Sequence, residues 1–345
     1  MNSAPLNILV VHVAGLSETT LALPSLRALR GHFAGSQICI AASAAAADLL
    51  RLGQCADLVL PVARLRREML SPALFYRSLR AIRTLRESQF DLAIELHSSP
   101  ESAFILQMAH VRERLSASAS KSKRGLRPVL EKIASSLARR PAPQMHLAHR
   151  YLKQLEPLGV RPTEAEPRLR TDREADARAD TWMEKSGVDF GDLLVGIHPG
   201  AGPGTERWPL ERFASIAARM IHNFNARIIV FGGPYESGLA RRLKKMLPER
   251  RSLVLQSPKM ADLVSTLARL SLLVANHSGP AHVAAAVGTP VVVASTLTGL
   301  STTDLLSKNH ISVRYSSATL IPEEEVYDAA CRLIKLNRAS VLSAL

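Results

Sequence analysis

Val274-Ala275-Asn276-His277-Ser278-Gly279-Pro280-Ala281-His282-Val283-Ala284-Ala285-Ala286-Val287-Gly288-Thr289-Pro290 is a strand end, a polar glycine turn and a small-residue helix in immediate succession. Ser271 to Ala275 is a short apolar run suited to a buried strand, and Ala281 to Val287 is rich in helix-forming alanine, stopped by Gly288 and Pro290. Val291-Val292-Val293-Ala294 supplies the next strand. Such a strand-loop-helix-strand unit puts its loop at the carboxyl end of a sheet, where open α/β folds bind ligands and a helix start offers unpaired N–H donors. An anionic ligand such as a diphosphate suits that place. An ordinary βα turn, with Asn, Ser and Gly chosen for turn geometry alone, would read the same way, so other loops have to decide.

Outward from this stretch the same alternation continues in both directions. Apolar strand runs are expected at Ile8–Val11, Gln37–Ala41, Asp57–Leu60 and Leu92–Glu95, with helices at Ala73–Glu87 and Glu101–Ala109 between and after them. A polar, basic stretch from Ser116 to Arg127 reads as a mobile loop. The segment Arg161-Pro162-Thr163-Glu164-Ala165-Glu166-Pro167 has the proline and charge of a linker. A second set of strands follows at Leu193–Ile197, Ala226–Phe231, Ser252–Leu255, Leu272–Val274 and Val291–Val293. The expected architecture is α/β, with two Rossmann-like doubly wound parallel-sheet domains, 1–165 and 166–345, facing a cleft. The last helix, about 323–345, is expected to pack back on the N-terminal domain.

Composition narrows the class. At 345 residues and 47% hydrophobic the chain is long enough for two sizeable cores, which excludes wholesale disorder. Cys39, Cys55 and Cys331 lie far apart without CxxC spacing, so neither a zinc site nor a disulfide framework is suggested, and a reducing cytoplasm is expected. The start lacks a basic region before its apolar run, and no apolar segment is long enough to span a bilayer, so neither leader nor membrane span is expected.

The net charge of +14 is unevenly shared: residues 1–160 hold 21 Lys and Arg against 11 Asp and Glu, a balance of +10, and the remainder carries +4. Between residues 62 and 86 there are seven arginines, Arg64, Arg66, Arg67, Arg77, Arg80, Arg83 and Arg86, against one acid, Glu68. Such a cluster can simply solvate a helix face; it also suits an anionic membrane or a phosphorylated substrate. Nucleic acid is not expected, because aromatics make up only 4% and no stacking platform accompanies the charge.

Three loops of the second half fall on one sheet edge. His198-Pro199-Gly200-Ala201-Gly202-Pro203-Gly204-Thr205-Glu206-Arg207-Trp208-Pro209 follows a strand; it is neither a Walker loop nor GxGxxG, yet it could wrap phosphates through backbone amides with Arg207 adding charge. In Phe231-Gly232-Gly233-Pro234-Tyr235-Glu236 the glycines allow close approach, and Glu236 is placed to accept hydrogen bonds from ribose hydroxyls. The third is the opening stretch. Each has a structural explanation by itself; together they point to a nucleotide site.

At these residues the sequence resembles the ADP-heptose:lipopolysaccharide heptosyltransferases of glycosyltransferase family 9, which have the GT-B fold. The resemblance rests on His198-Pro199-Gly200 with Arg207-Trp208-Pro209, on Gly232-Gly233-Pro234 with Glu236, and on Asn276-x-Ser278-Gly279-Pro280-x-His282. The first half is similar more loosely, through Ile8–Val11 leading to Leu23-Pro24-Ser25-Leu26-Arg27, Pro61-Val62-Ala63 before the arginine run, Phe90–Glu95, and His146 through Val160.

The resemblance implies inverting transfer of a heptose, or a related sugar, from an ADP-linked donor to the lipopolysaccharide inner core or a similar acidic glycolipid of Kdo-lipid A type. It implies a cytoplasmic enzyme held peripherally at the inner face of the membrane, working without cofactor or metal. The family's base, an aspartate after the first strand, corresponds to Glu18, a carboxylate one methylene longer. Donor contacts are implied for Gly200, Thr205, Arg207, Glu236, Asn276, His277, Ser278, Gly279, Pro280 and His282, and acceptor contacts for Arg64, Arg67, Arg139 and Arg140. Two positions depart from the family: Glu206 stands where a lysine serves the donor phosphates, and His277 where an aspartate is usual. These departures favour an alternative, a non-catalytic relative that binds nucleotide sugar or lipopolysaccharide, whereas Glu18, Glu236 and His282 oppose it. A nucleotide-sugar epimerase of related architecture is disfavoured by the likeness in the first half, and a nicotinamide dehydrogenase by the lack of GxGxxG after the first strand.

Overall fold

The computed structural model describes residues 5–62, 72–116, 145–161, 164–189, 191–202, 205–233, 236–296 and 302–343. The chain divides into two compact units, residues 1–165 and 166–345. In the first, β1 (Asn7–His12), α1 (Leu16–His32), β2 (Gln37–Ser43), α2 (Ala44–Gly53), β3 (Leu58–Val62), α3 (Pro72–Glu87), β4 (Gln89–His97), α4 (Pro100–Met108), β5 (His110–Ser116) and α5 (Leu147–Leu155) follow one another. The strands form a parallel sheet in the order β3-β2-β1-β4-β5.

The second unit holds α6 (Arg173–Lys185), β6 (Leu194–His198), α7 (Leu210–Phe224), β7 (Arg227–Gly232), α8 (Ser237–Lys245), β8 (Ser252–Gln256), α9 (Met260–Ala268), β9 (Leu272–Asn276), α10 (Gly279–Ala286), β10 (Val291–Thr296), β11 (His310–Tyr315) and α11 (Glu323–Ser343). Its parallel sheet runs β11-β10-β9-β6-β7-β8. Both sheets are doubly wound, and each reverses direction once, between β1 and β4 in the first and between β6 and β9 in the second. At such a point the loops leaving two neighbouring strands part to opposite faces and open a crevice for a ligand.

The central strands are buried on both faces, as parallel sheets require, so Ile8, Leu9, Val10 and Val11 are wholly inaccessible, as are Leu272, Leu273, Val274 and Ala275. The second core is closed from one side by α7, whose Leu210, Phe213, Ala214, Ile216, Ala217 and Met220 recur at helical spacing and are all buried. Asn225 ends that helix in the left-handed conformation, with φ 53°. Gly196 keeps β6 free of a side chain where one would strike Leu270, Leu273 and Phe231.

Two strands lie beyond the sequence expectations: β5 and β11, one at an edge of each sheet. Expected helix α11 packs Val326, Tyr327, Ala330, Leu333 and Ile334 into the core of the second unit. The basic stretch expected as a loop lies, beyond Ser116, outside the described residues. Among the described residues no helix is long and apolar enough to cross a membrane.

Among the buried polar groups of the first unit is a histidine at the end of its central strand. His12, the last residue of β1, is wholly buried, and neither ring nitrogen has a hydrogen-bond partner. Burial, then the neighbouring His97, pulls its pKa from 6.5 down to about 3, so the folded protein holds the ring neutral. The folded value lies below the unfolded one; stability from this group is therefore complete above pH 6.5 and lost as pH falls towards 3. Replacing His12 with Leu is expected to remove that dependence: between pH 7 and 5 the wild type should lose about 2 kcal/mol more than the variant. Urea unfolding at the two pH values measures this directly, and equal losses would refute it.

Candidate functional site

A buried polar constellation of the second unit lies at the switch point between β6 and β9. His198 ends β6 with 2% exposure. Its Nδ1 meets the Ser278 hydroxyl at 3.1 Å, and its Nε2 meets Oε2 of Glu236 at 3.0 Å. Three segments are thereby joined: the end of β6, the loop after β7 and the start of α10. Glu236 Oε2 also accepts the Gly233 N–H at 3.4 Å. Burial opposes ionisation of Glu236, but the hydrogen bond from the His198 ring, the Gly233 N–H and the Arg207 guanidinium outweigh it, holding the carboxyl below its ordinary range.

Gly200 explains how the carboxylate can sit there. A Cβ at this position would overlap the Glu236 carboxyl atoms, so the loop after β6 must present bare backbone. The loop itself is held at both ends by one buried side chain. Asn276 accepts the Trp208 N–H on Oδ1 at 2.9 Å and donates from Nδ2 to the Pro199 carbonyl at 2.8 Å. Trp208 anchors the far end, its indole N–H reaching the Ile321 carbonyl at 3.1 Å and its ring standing edge-on to Phe213. Within the loop, the Thr205 N–H closes a turn onto the Gly202 carbonyl at 3.2 Å.

Gly279 and Pro280 open α10, with Ser278 at its N-cap. The Ser278 hydroxyl is engaged with His198 and makes no side-chain cap to the first turn of α10. His277 is half-buried and donates from Nε2 to the Thr303 carbonyl at 2.9 Å, which places a proton on that nitrogen. Its ring stands edge-on to the buried His282, with centroids 5.2 Å apart. Glu206 turns towards the chain after β11, where its Oε2 accepts the Ala318 N–H at 2.8 Å and the Ser317 hydroxyl at 3.0 Å. Those two donors hold its carboxyl below the ordinary range. Arg207 beside it is exposed.

In the first unit Glu18 lies in the first turn of α1, half-buried and folded against Gly15. Near the β1/β4 switch point, His97 Nδ1 meets the Tyr151 hydroxyl at 3.2 Å, and the His12 ring stands edge-on to both. Burial, and then the carboxylate of Glu18, push the Tyr151 phenol up. Arg64, Arg67, Arg139 and Arg140 lie outside the described residues. Arg80, Arg83 and Arg86 on α3 are exposed. Among the described residues no group of three or more His, Cys, Asp or Glu could hold a metal ion.

Thus the expected residues at 200, 205, 207, 236, 276, 277, 278, 279, 280 and 282 all lie at the carboxyl ends of β6, β7 and β9 or in the segments that follow them, with Asn276 ending β9 and Gly279, Pro280 and His282 within α10. His198 is absent from the expected site residues, although a histidine ending an apolar strand before Pro-Gly is a visible signal. His97 and Tyr151 carry no such signal, because what joins them is a contact 54 residues apart in the chain.

Two doubly wound units of this kind define the GT-B architecture. The pattern of glycosyltransferase family 9 (heptosyltransferase) matches residues 78–326, and the chain belongs to that family. A lipooligosaccharide heptosyltransferase 2 of Haemophilus influenzae is 27% identical over 252 residues, 69% of either chain. A putative glycosyltransferase of the same bacterium is 23% identical over 111 residues, so the match spans about a third of that relative, 32% of either chain. Among solved structures, a family 9 glycosyl transferase of Veillonella parvula superposes with a TM-score of 0.77 at 21% identity, covering 97% of this chain and 99% of that one. ADP-heptose lipopolysaccharide heptosyltransferase II of E. coli gives 0.74 at 19% identity, covering 96% and 100%. An E. coli heptosyltransferase solved with ADP gives 0.70 at 18% identity, again covering 96% and 100%.

Replacing Gly200 with Ala is expected to push the Glu236 carboxylate out of its seat while leaving the fold intact. Binding of ADP, followed by calorimetry, should weaken roughly tenfold or more, as when a hydrogen bond to a charged group is lost. Unchanged binding with an unchanged melting curve would show that the carboxylate's place is immaterial to the ligand.

Proposed function

We propose that this protein is an inverting glycosyltransferase that moves a heptose, or a closely related sugar, from an ADP-linked donor to the lipopolysaccharide inner core or a similar acidic glycolipid. The observation that carries the reading is the joining of His198, Glu236 and Ser278 at the β6/β9 switch point, beside an uncapped helix start. A carboxylate for a ribose diol next to N–H donors for phosphate is the chemistry of a nucleoside diphosphate site. Family membership and the ADP in a solved relative support the donor. On this reading residues 166–345 bind the donor and residues 1–165 the acceptor.

The reaction needs few parts. Glu18 takes the proton of the acceptor hydroxyl as that oxygen attacks the anomeric carbon, and the bond from that carbon to the diphosphate oxygen breaks with inversion. Charge gathers on the leaving diphosphate, where the first-turn N–H groups of α10 and the guanidinium of Arg207 stabilise it without a metal ion. Gly200, Thr205, Gly279 and Pro280 give the phosphates backbone to lie against, Asn276 holds that backbone in shape, and His277 and His282 border the donor sugar. Arg64, Arg67, Arg139 and Arg140 meet the carboxylates and phosphates of the acceptor. The positive excess of the first half keeps the enzyme at the anionic inner face of the cytoplasmic membrane without insertion.

A second reading has an observation behind it. Glu206 and His277 spend their side chains on Ala318, Ser317 and Thr303, so neither repeats the family's donor contact, and a non-catalytic protein that binds nucleotide sugar or lipopolysaccharide would tolerate this. The two readings part in one assay. Purified protein incubated with ADP-heptose and Kdo2-lipid A should release ADP and add the mass of one heptose to the acceptor. ADP binding with no release from any nucleotide sugar would establish the binder instead.

Replacing Glu18 with Gln should lower kcat about 10²- to 10⁴-fold while donor affinity stays within a factor of two or three. Turnover that persists in this variant removes Glu18 as the base.

A further inference from the structure

We infer that His198 is the positioning residue of the nucleotide site, holding the Glu236 carboxylate where it selects ribonucleoside diphosphates over forms lacking the ribose hydroxyls. The inference rests on the proposed ribose role of Glu236 and extends it to a residue that touches no ligand.

The two oxygens of that carboxylate are held differently. Oε2 is held by the His198 ring and the Gly233 N–H, whereas Oε1 accepts no hydrogen bond among the described residues. The side chain keeps 18% of its surface exposed, against 3% for His198. One oxygen is thus fixed from beneath and the other left for a ligand. A carboxylate on a rotatable two-methylene stem would otherwise sample several rotamers, and every ligand hydrogen bond would first have to oppose that freedom. Gly200 closes one side of the seat, since its backbone lies where a Cβ would overlap the carboxyl. The His198 ring closes the floor.

The ring is itself held. An ionised carboxylate only accepts, so Nε2 carries the proton shared with Glu236. In the neutral ring Nδ1 then accepts, and the Ser278 hydroxyl donates to it. Ser278 stands at the N-cap of α10, and the ring therefore ties the ribose-facing carboxylate to the start of the phosphate-facing helix. His198 sits at the end of β6, between β7 and β9 in the sheet, which denies it any movement of its own. Removing the ring frees Glu236 and the Ser278 hydroxyl together.

Calorimetric titration of the full-length protein with ADP and with 2′,3′-dideoxy-ADP tests this, using wild type, H198A, H198Q and H198N. Wild type should prefer ADP by about tenfold or more. H198A should bind the two nucleotides within a factor of two or three of each other. Glutamine places its amide N–H near the position of Nε2 and should restore most of the preference; asparagine, which reaches only as far as Nδ1, should not. Thermal melts check folding, and where H198A fails to fold, the contrast between H198Q and H198N decides. A wild-type preference kept in H198A or H198N overturns the role of His198. Equal binding of both nucleotides by wild type overturns the ribose role of Glu236, and the inference with it, and absence of ADP binding overturns the donor reading itself.

Discussion

The site depends on one buried amide. Asn276 lies at the end of β9 with 1% exposure, and its two polar ends are spent on the two ends of the loop that leaves β6. Glu206 adds a further hold on that loop through the Ala318 N–H and the Ser317 hydroxyl. Held at both ends by a rigid strand terminus, the loop presents Gly200 to Glu236 and lays Arg207 at the surface. This end of the sheet is thus built by neighbouring strands, and its precision comes from strands buried on both faces.

Much of this was legible in the chain because the residues that shape the site are close in sequence to strong strand signals. Val195, Ile197, Val274 and Ala275 mark strands by apolarity alone, and the polar residues that follow them fall at the sheet edge by necessity. The edge strands β5 and β11 escaped for the opposite reason. His110–Ser116, with Arg112, Glu113 and Arg114 in its middle, carries the charges that protect an unpaired edge, and these erase the apolar run a reader looks for. His310–Tyr315 is half-buried at nearly every position. The use of individual side chains was less legible still. Asn276 meets the loop through both polar ends, and nothing local in the sequence shows which groups a buried amide will satisfy.

The two residues that depart from the family pattern have structural occupations. Glu206 receives an N–H and a hydroxyl at the turn Ala318–Leu320, and His277 gives its proton to Thr303. Both tie the donor edge to the chain after β10. Their side chains therefore belong to the scaffold of the loop more than to its surface, and Arg207 carries the positive charge that faces Glu236. The residues that weaken the likeness in sequence thus have places of their own in the structure, Glu206 joining the loop after β6 to the chain after β11 and His277 joining the end of β9 to the chain after β10.

The close approach of Gly200 to Glu236 has a consequence for inheritance. A Cβ at the first position and a carboxylate seated at the second exclude each other in space. Neither can be exchanged alone without emptying the seat or crowding it. In a lineage that keeps this loop the pair must therefore change together or not at all, and the glycine records the acid across 35 residues of intervening chain.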